Sequence, residues 1–185
     1  MAFENVKIID PYVEKGWTPE LKLTLARPEE VGVLEAKLNV SFPDGYKEYV
    51  TALGLGVYYG KAANFRVDMP SAILSEYREH QEFLDKYWFW EEGEDLLPKE
   101  RAMECIRIAD TDGGDVIIFH PSNPKELFIL PHEDEMIYKI GSNLYEALDF
   151  DWNLNPEDFD FRRQIYFVPD NPFAYTHGVI FPEDV

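Results

Sequence analysis

Three carboxylates in one short segment are the chain's best candidates for metal chemistry. Asp110, Asp112 and Asp115 lie in the string Asp-Thr-Asp-Gly-Gly-Asp, whose spacing resembles that of a calcium-binding loop over its first positions. Such a loop also needs a bidentate glutamate at its twelfth position and helices on both sides. Counted from Asp110, the twelfth position is Pro121, and strand-like segments flank the string. We therefore interpret the string as a structural turn and keep a divalent-metal-dependent hydrolase as an alternative.

Other groups that commonly carry catalysis are scattered along the chain. The four histidines form no HExxH motif, and the single cysteine cannot complete a zinc set. The sequence also lacks a G-x-S-x-G elbow, a P-loop and the glycine spacing of dinucleotide-binding folds. We therefore expect no catalytic residue, no metal and no cofactor, and we interpret the chain as a non-enzyme. The histidines are His80, His120, His132 and His177, and the cysteine is Cys105.

The composition indicates one folded and strongly acidic domain. The chain has 185 residues, 45% of them hydrophobic, which is enough for a packed core. Its 36 acidic and 17 basic residues give a formal charge of −19, so nucleic acid and anionic membranes are disfavoured as partners. The acidity either serves solubility alone or complements a basic protein. The lone cysteine and the lack of a signal peptide or long apolar run predict a cytoplasmic protein.

Four segments have the periodicity of helices, and they position the candidate groups. Pro28 suits a first helical turn, and Val31, Leu34 and Leu38 share one face of the helix that follows it. Similar patterns predict a helix from Pro43 to Gly54 and a longer one over 70–89. Ser142 is predicted to cap a final helix that runs to about 150.

Six short β-rich runs surround these helices. Two lie at 56–60 and 63–69, and four follow at 103–109, 115–120, 126–131 and 135–140, separated by turn-forming residues. The last four predict an antiparallel meander. The expected fold class is α+β, with an antiparallel meander sheet of about 4–6 strands and helices packed on one side. We expect a single domain over 1–185, whose aromatic C-terminal extension, 151–185, packs on it.

Two stretches of the chain resemble the SUKH superfamily, the immunity proteins related to fungal cell-wall assembly regulators. In the first, a helix containing Glu35 leads into Phe42-Pro43, and Tyr46 and Tyr49 follow on the next helix. The second runs from Ile106 to Leu148 and consists of strands around a Gly-Asp pair and a final helix. The resemblance covers about 27–150. The chain departs from it in its Gly54-Leu-Gly56 segment, its longer central helix and its aromatic extension, and these departures leave the partner open.

The resemblance implies a SUKH-like fold without catalytic residues. It also implies a protein that neutralises a cognate bacterial toxin, often a nuclease, of a polymorphic or contact-dependent system by binding it. An acidic chain is suited to cover the basic cleft of a nuclease. The alternative that the resemblance offers is a regulatory scaffold, as in the fungal relatives. Either way the partner is a protein, and the chain itself is expected to be a monomer or a weak homodimer.

The candidate partner-binding residues centre on an acidic loop that follows two tryptophans. Aromatic anchors surrounded by charge are typical of interface hot spots. For the two tryptophans, core packing is the competing interpretation, and for the aspartate of the Gly-Asp pair it is a turn cap. The candidates are Trp88, Trp90, Glu91, Glu92, Glu94, Asp95 and Asp115.

Overall fold

The computed structural model describes residues 3–16, 22–61, 63–150 and 164–170. Within these ranges the helices are α1 (Pro11–Glu14), α2 (Pro28–Leu38), α3 (Tyr46–Ala52), α4 (Pro70–Tyr87), α5 (Lys99–Ala102) and α6 (Leu144–Asp149), with 3-10 turns at Phe3–Asn5 and Glu91–Gly93. The strands are β1 (Lys7–Ile8), β2 (Gly56–Tyr59), β3 (Asn64–Val67), β4 (Ile106–Thr111), β5 (Val116–His120), β6 (Asn123–Leu130), β7 (Tyr138–Gly141) and β8 (Tyr166–Pro169).

The described strands form one sheet in the order β1-β8-β2-β3-β4-β5-β6-β7. All neighbours are antiparallel except β1 and β8, which run parallel. The predicted α+β class and the meander β4 to β7 are confirmed. The sheet has eight strands where 4–6 were expected, because β1 and β8 from the two ends of the chain extend the edge next to β2.

The two faces of the sheet bury separate apolar clusters. On β5, Ile117 and Phe119 join the larger cluster with α2, α3 and α6, while Val116 and Ile118 join a smaller cluster on the opposite face. We call these the first and second faces. Helices on one side were expected, but apolar residues from the end of α4 and from the segment that follows it also cover the second face. They include Leu84, Trp90, Leu97 and Ala102.

The helical pair α2–α3 is fixed by local hydrogen bonds. Glu30 accepts from the backbone nitrogen of Arg27 at 2.7 Å, which satisfies one donor at the start of α2. Asn39 ends that helix in the left-handed conformation. The carboxylate of Glu35 accepts from the backbone nitrogen of Phe42 at 3.0 Å, so this glutamate positions the chain that enters α3.

The cap of α6 differs from the predicted one. Asn143, not Ser142, is the N-cap, and its Oδ1 accepts from the backbone nitrogen of Glu146 at 2.9 Å. The Glu146 carboxylate accepts in return from the backbone nitrogen and hydroxyl of Ser142, at 2.8 and 2.9 Å. Ser142 therefore contributes from the position before the cap, because the extended backbone of Asn143 aims its amide at the helix start.

The longest described helix, α4, connects the clusters of the two faces. Ile73 near its start belongs to the first-face cluster and Leu84 near its end belongs to the second. Its solvent side exposes Glu76, Glu79 and the ring of Phe83. Among the helices that the structure describes, none combines the length and the apolar character needed to cross a membrane.

Candidate functional site: an acidic groove and an acidic loop

A groove of about 460 Å³ lies between α4 and the strands β4 and β5. It opens on the second face, beside Val116. Four of its side chains are carboxylates, whereas one is a permanent cation. The carboxylates are Glu76, Glu79, Asp110 and Asp112, and the other lining side chains include His80, Phe83 and Arg107.

The cation of the groove, Arg107, is held by several carboxylates at once. Its guanidinium donates to both oxygens of Asp68 at 2.8 and 3.1 Å and to Glu76 at 3.1 Å. Asp110 lies 3.9 Å from a third guanidinium nitrogen. Burial raises the pKa of Asp68, and Arg107 offsets some of that rise. Because Arg107 is the single cation among the described side chains that line the groove, it balances only part of their negative charge.

Asp110 is the carboxylate whose pKa shows this imbalance. Burial, followed by the charge of Asp68, raises the pKa of Asp110 to about 6, although Arg107 acts in the opposite direction. At neutral pH Asp110 is ionised, and because its pKa is raised in the fold, this ionisation lowers the stability of the folded state.

Replacing Asp110 by asparagine is expected to raise the free energy of unfolding at pH 7 by about 1–2 kcal/mol. The Asp110 side chain is 32% exposed, so solvent screens part of the effect and this value is lower than the full pKa shift would give. The pKa in the fold lies above the ordinary value of 3.8, so the folded state is favoured below pH 4 and loses that advantage as the pH rises through 6. Urea unfolding of both proteins at pH 4 and pH 7 measures this. An equal gain at pH 4 would contradict the electrostatic explanation.

His80 lines the groove as a neutral imidazole. Only 7% of the residue is exposed, and its Nε2 has no hydrogen-bond partner among the described residues. Burial, with a smaller effect from Arg107, lowers the pKa of His80 to about 4. The groove is therefore bordered by an uncharged imidazole whose Nε2 is itself buried.

The acidic loop projects from a buried tryptophan. Its charged residues are exposed, and Glu94 accepts a hydrogen bond from Nε1 of Trp88 at 3.0 Å. Trp90 is 2% exposed, packs in the second-face cluster and donates to the carbonyl oxygen of Pro131 at 2.7 Å. The structure thus places Trp90 beneath the loop and Trp88 at its half-buried margin. The exposed acidic residues of the loop are Glu91, Glu92, Glu94 and Asp95.

Asp115 fixes the hairpin between β4 and β5. Its carboxylate accepts from the Thr111 hydroxyl at 2.7 Å and from the backbone nitrogen of His132 at 2.9 Å. Asp112 accepts from the side-chain amide of Asn64, which lies on β3, at 2.6 Å. The three aspartates of the sequence string are therefore engaged with different groups. Within the described ranges, no three His, Cys, Asp or Glu side chains are arranged to hold a metal ion.

The sequence predictions did not include the groove. Its lining comes from positions 76–83 and 107–116, with Asp68 behind Arg107, and nothing in the local pattern shows that they meet. One signal was available: Arg107 interrupts an apolar strand between Ile106 and Ile108, which are both buried. A charge in such a strand requires a partner, and the helix before the strand carries several carboxylates.

One family model matches most of the chain. The model of the SMI1/KNR4 family, SUKH-1, matches residues 25–149, a range that contains α2 to α6, the groove and the acidic loop. No curated protein matches the chain at a significant level. Since the match extends over more than half of the 185 residues, the chain belongs to the SMI1/KNR4 family (SUKH-1).

Proposed function

We propose that this protein is an immunity protein, which neutralises a cognate bacterial toxin by binding it and which carries out no catalysis. A nuclease of a polymorphic or contact-dependent system is the proposed target. The observation that carries the proposal is the acidic loop, whose four carboxylates are exposed above a packed aromatic base. A basic nucleic-acid-binding cleft has the complementary charge.

The acidic loop lies on a packed aromatic base. Trp90 packs face to face against Phe89, with ring centroids 4.2 Å apart, and Trp88 meets Trp90 edge to face at 5.5 Å. Leu97 is buried at the other end of the loop. A surface that is already ordered loses less entropy on binding, so it supports tight association. In this proposal Trp90 supports the interface from below, and Trp88 and Asp115 lie at its margin.

The test begins with the coding sequence adjacent to that of this chain, where we expect a large secreted protein with a basic C-terminal domain. We expect that domain to bind the chain in isothermal titration calorimetry and its toxicity to be suppressed by co-expression. Replacing the four loop carboxylates by their amides (E91Q/E92Q/E94Q/D95N) is expected to weaken binding about 100-fold or more. Close interfacial charge pairs typically contribute a few kcal/mol in total. The E94Q change keeps an acceptor for the indole of Trp88, so the loop conformation is retained.

A matched control changes the net charge equally at exposed positions outside the loop. The variant E4Q/E14Q/E29Q/E48Q removes four carboxylates and is expected to change the affinity less than about fivefold. If both variants weaken binding equally, general acidity and not the loop is responsible. If the neighbouring domain does not bind the chain at all, the immunity function is wrong.

A further inference from the structure

We propose that the groove between α4 and the strands β4 and β5 is a receptor for one arginine side chain of the protein partner. The inference rests on the proposed function and extends it, since that partner would supply the arginine. It concerns a surface different from the acidic loop and makes its own prediction. The occupant is identified by charge, by shape and by an unused hydrogen-bonding group.

Charge is the first argument. Glu76 and Asp110 share Arg107 with the buried carboxylate of Asp68. Glu79 is exposed on the next turn of α4 and adds another negative charge to the groove. A cation that entered would meet more carboxylates than Arg107 balances. Because the groove is concave and partly shielded from solvent, the attraction is stronger there than on an open surface.

The second argument is the unused acceptor. His80 is only 7% exposed, lines the groove and has no described partner for Nε2. In the tautomer with its proton on Nδ1, this nitrogen accepts a hydrogen bond. Since the imidazole is neutral, it does not repel a cation. The Nε2 atom itself is almost completely covered, so a ligand donor reaches it only when the imidazole turns toward the groove, and that contact would satisfy a polar atom that the described fold leaves without a partner.

The aromatic rim favours arginine over lysine. Phe83 lies on the same face of α4 as Glu79 and His80, one turn further along, and the residue is 41% exposed. A planar guanidinium stacks on such a ring while its several N–H groups reach carboxylates on both sides. An ammonium group is a compact and more strongly hydrated charge, so it gains less from the same surroundings.

The experiment titrates ¹⁵N-labelled protein with ethylguanidinium chloride and follows the backbone amide resonances. Ethylurea serves as the neutral probe of similar shape, ethylammonium as the compact cation, and sodium chloride holds the ionic strength constant. We expect saturable shifts at Glu79, His80, Thr111 and Gly114, with a dissociation constant on the order of 1 mM for so small a ligand. Ethylurea is expected to bind at least about tenfold more weakly and ethylammonium at least about threefold more weakly.

Two variants locate the binding. E79Q/D110N is expected to weaken ethylguanidinium binding at least about fivefold, and E48Q, which removes an exposed carboxylate of α3, less than about twofold. Well-dispersed spectra establish that each variant is folded. Equal binding of ethylurea, unchanged binding to E79Q/D110N, or shifts spread evenly over the surface would overturn the receptor. Equal binding of ethylammonium would overturn the choice of arginine.

The outcome separates this inference from the proposed function. Ethylguanidinium binding in the groove requires no toxin, so it can succeed when the neighbouring domain fails to bind. Conversely, a toxin that binds the acidic loop with full affinity to E79Q/D110N leaves the immunity function intact and overturns the arginine receptor.

Discussion

Replacing Arg107 by methionine is expected to lower the free energy of unfolding at pH 7 by about 3–5 kcal/mol. Methionine retains an apolar chain of similar reach but leaves Asp68, which is 9% exposed, without its two charge-assisted hydrogen bonds. Glu76 and Asp110 would then repel the same buried carboxylate. Urea unfolding monitored by tryptophan fluorescence measures the loss.

The double variant D68N/R107M is the control for this effect. It removes the buried charge together with its partner, so most of the stability is expected to return. The loss in R107M is also expected to shrink as the pH is lowered, since protonation of Asp68 removes the unpaired charge. A loss of less than about 1 kcal/mol in R107M would show that solvent screens the cluster, as it does for exposed ion pairs.

Replacing Trp90 by alanine is expected to lower the free energy of unfolding by about 3–5 kcal/mol. The indole is almost completely buried in the second-face cluster, and its Nε1 bonds the carbonyl oxygen of Pro131. Alanine leaves a cavity and removes the donor to that buried oxygen. W90F keeps an aromatic ring and is expected to lose only about 1–3 kcal/mol. Thermal and urea unfolding of both variants provide the measurement.

Trp88, two residues before Trp90, provides the matched comparison. Its side chain is half-buried and its partner Glu94 is exposed, so W88F is expected to change stability by about 1 kcal/mol or less. If Trp90 served only as a contact for the partner, W90A would weaken binding without changing the unfolding free energy. That result would contradict the supporting role that its burial indicates.

Elements defined by their own periodicity could be predicted from the sequence. Helices α2, α3 and α4 begin and end within about three residues of the predicted positions, because proline starts and left-handed stops are local signals. Strands β4 to β7 were found for a similar reason, since turn residues separate them. Strand β1 was missed because its two residues become a strand only by pairing with β8. Helix α5, of four residues, carries too little periodic signal to be found.

The candidate site also has parts that could be predicted from the sequence and parts that could not. The exposed acidic loop could be predicted because four carboxylates lie within five residues. The burial of Trp90 could not, since it depends on Pro131, which is 41 residues away along the chain. The Arg107 cluster joins residues separated by 31 and 39 positions, so its ion pairs follow from the crossing of α4 over β4 and not from a motif. Several aromatic residues of the predicted extension, including Trp152 and Phe173, lie outside the described residues.

The insertion of β8 between β1 and β2 has a consequence for the order of folding. Lys7 of β1 pairs with Tyr166 of β8, far along the chain, whereas the meander β4 to β7 joins neighbours in sequence. Closing so long a loop costs more conformational entropy than closing a short one, so the local contacts of the meander form before the pairing of β1 with β8. During synthesis the meander can form before β8 leaves the ribosome, whereas β1 can pair only after β8 has emerged. The last described strand to be made therefore completes the sheet.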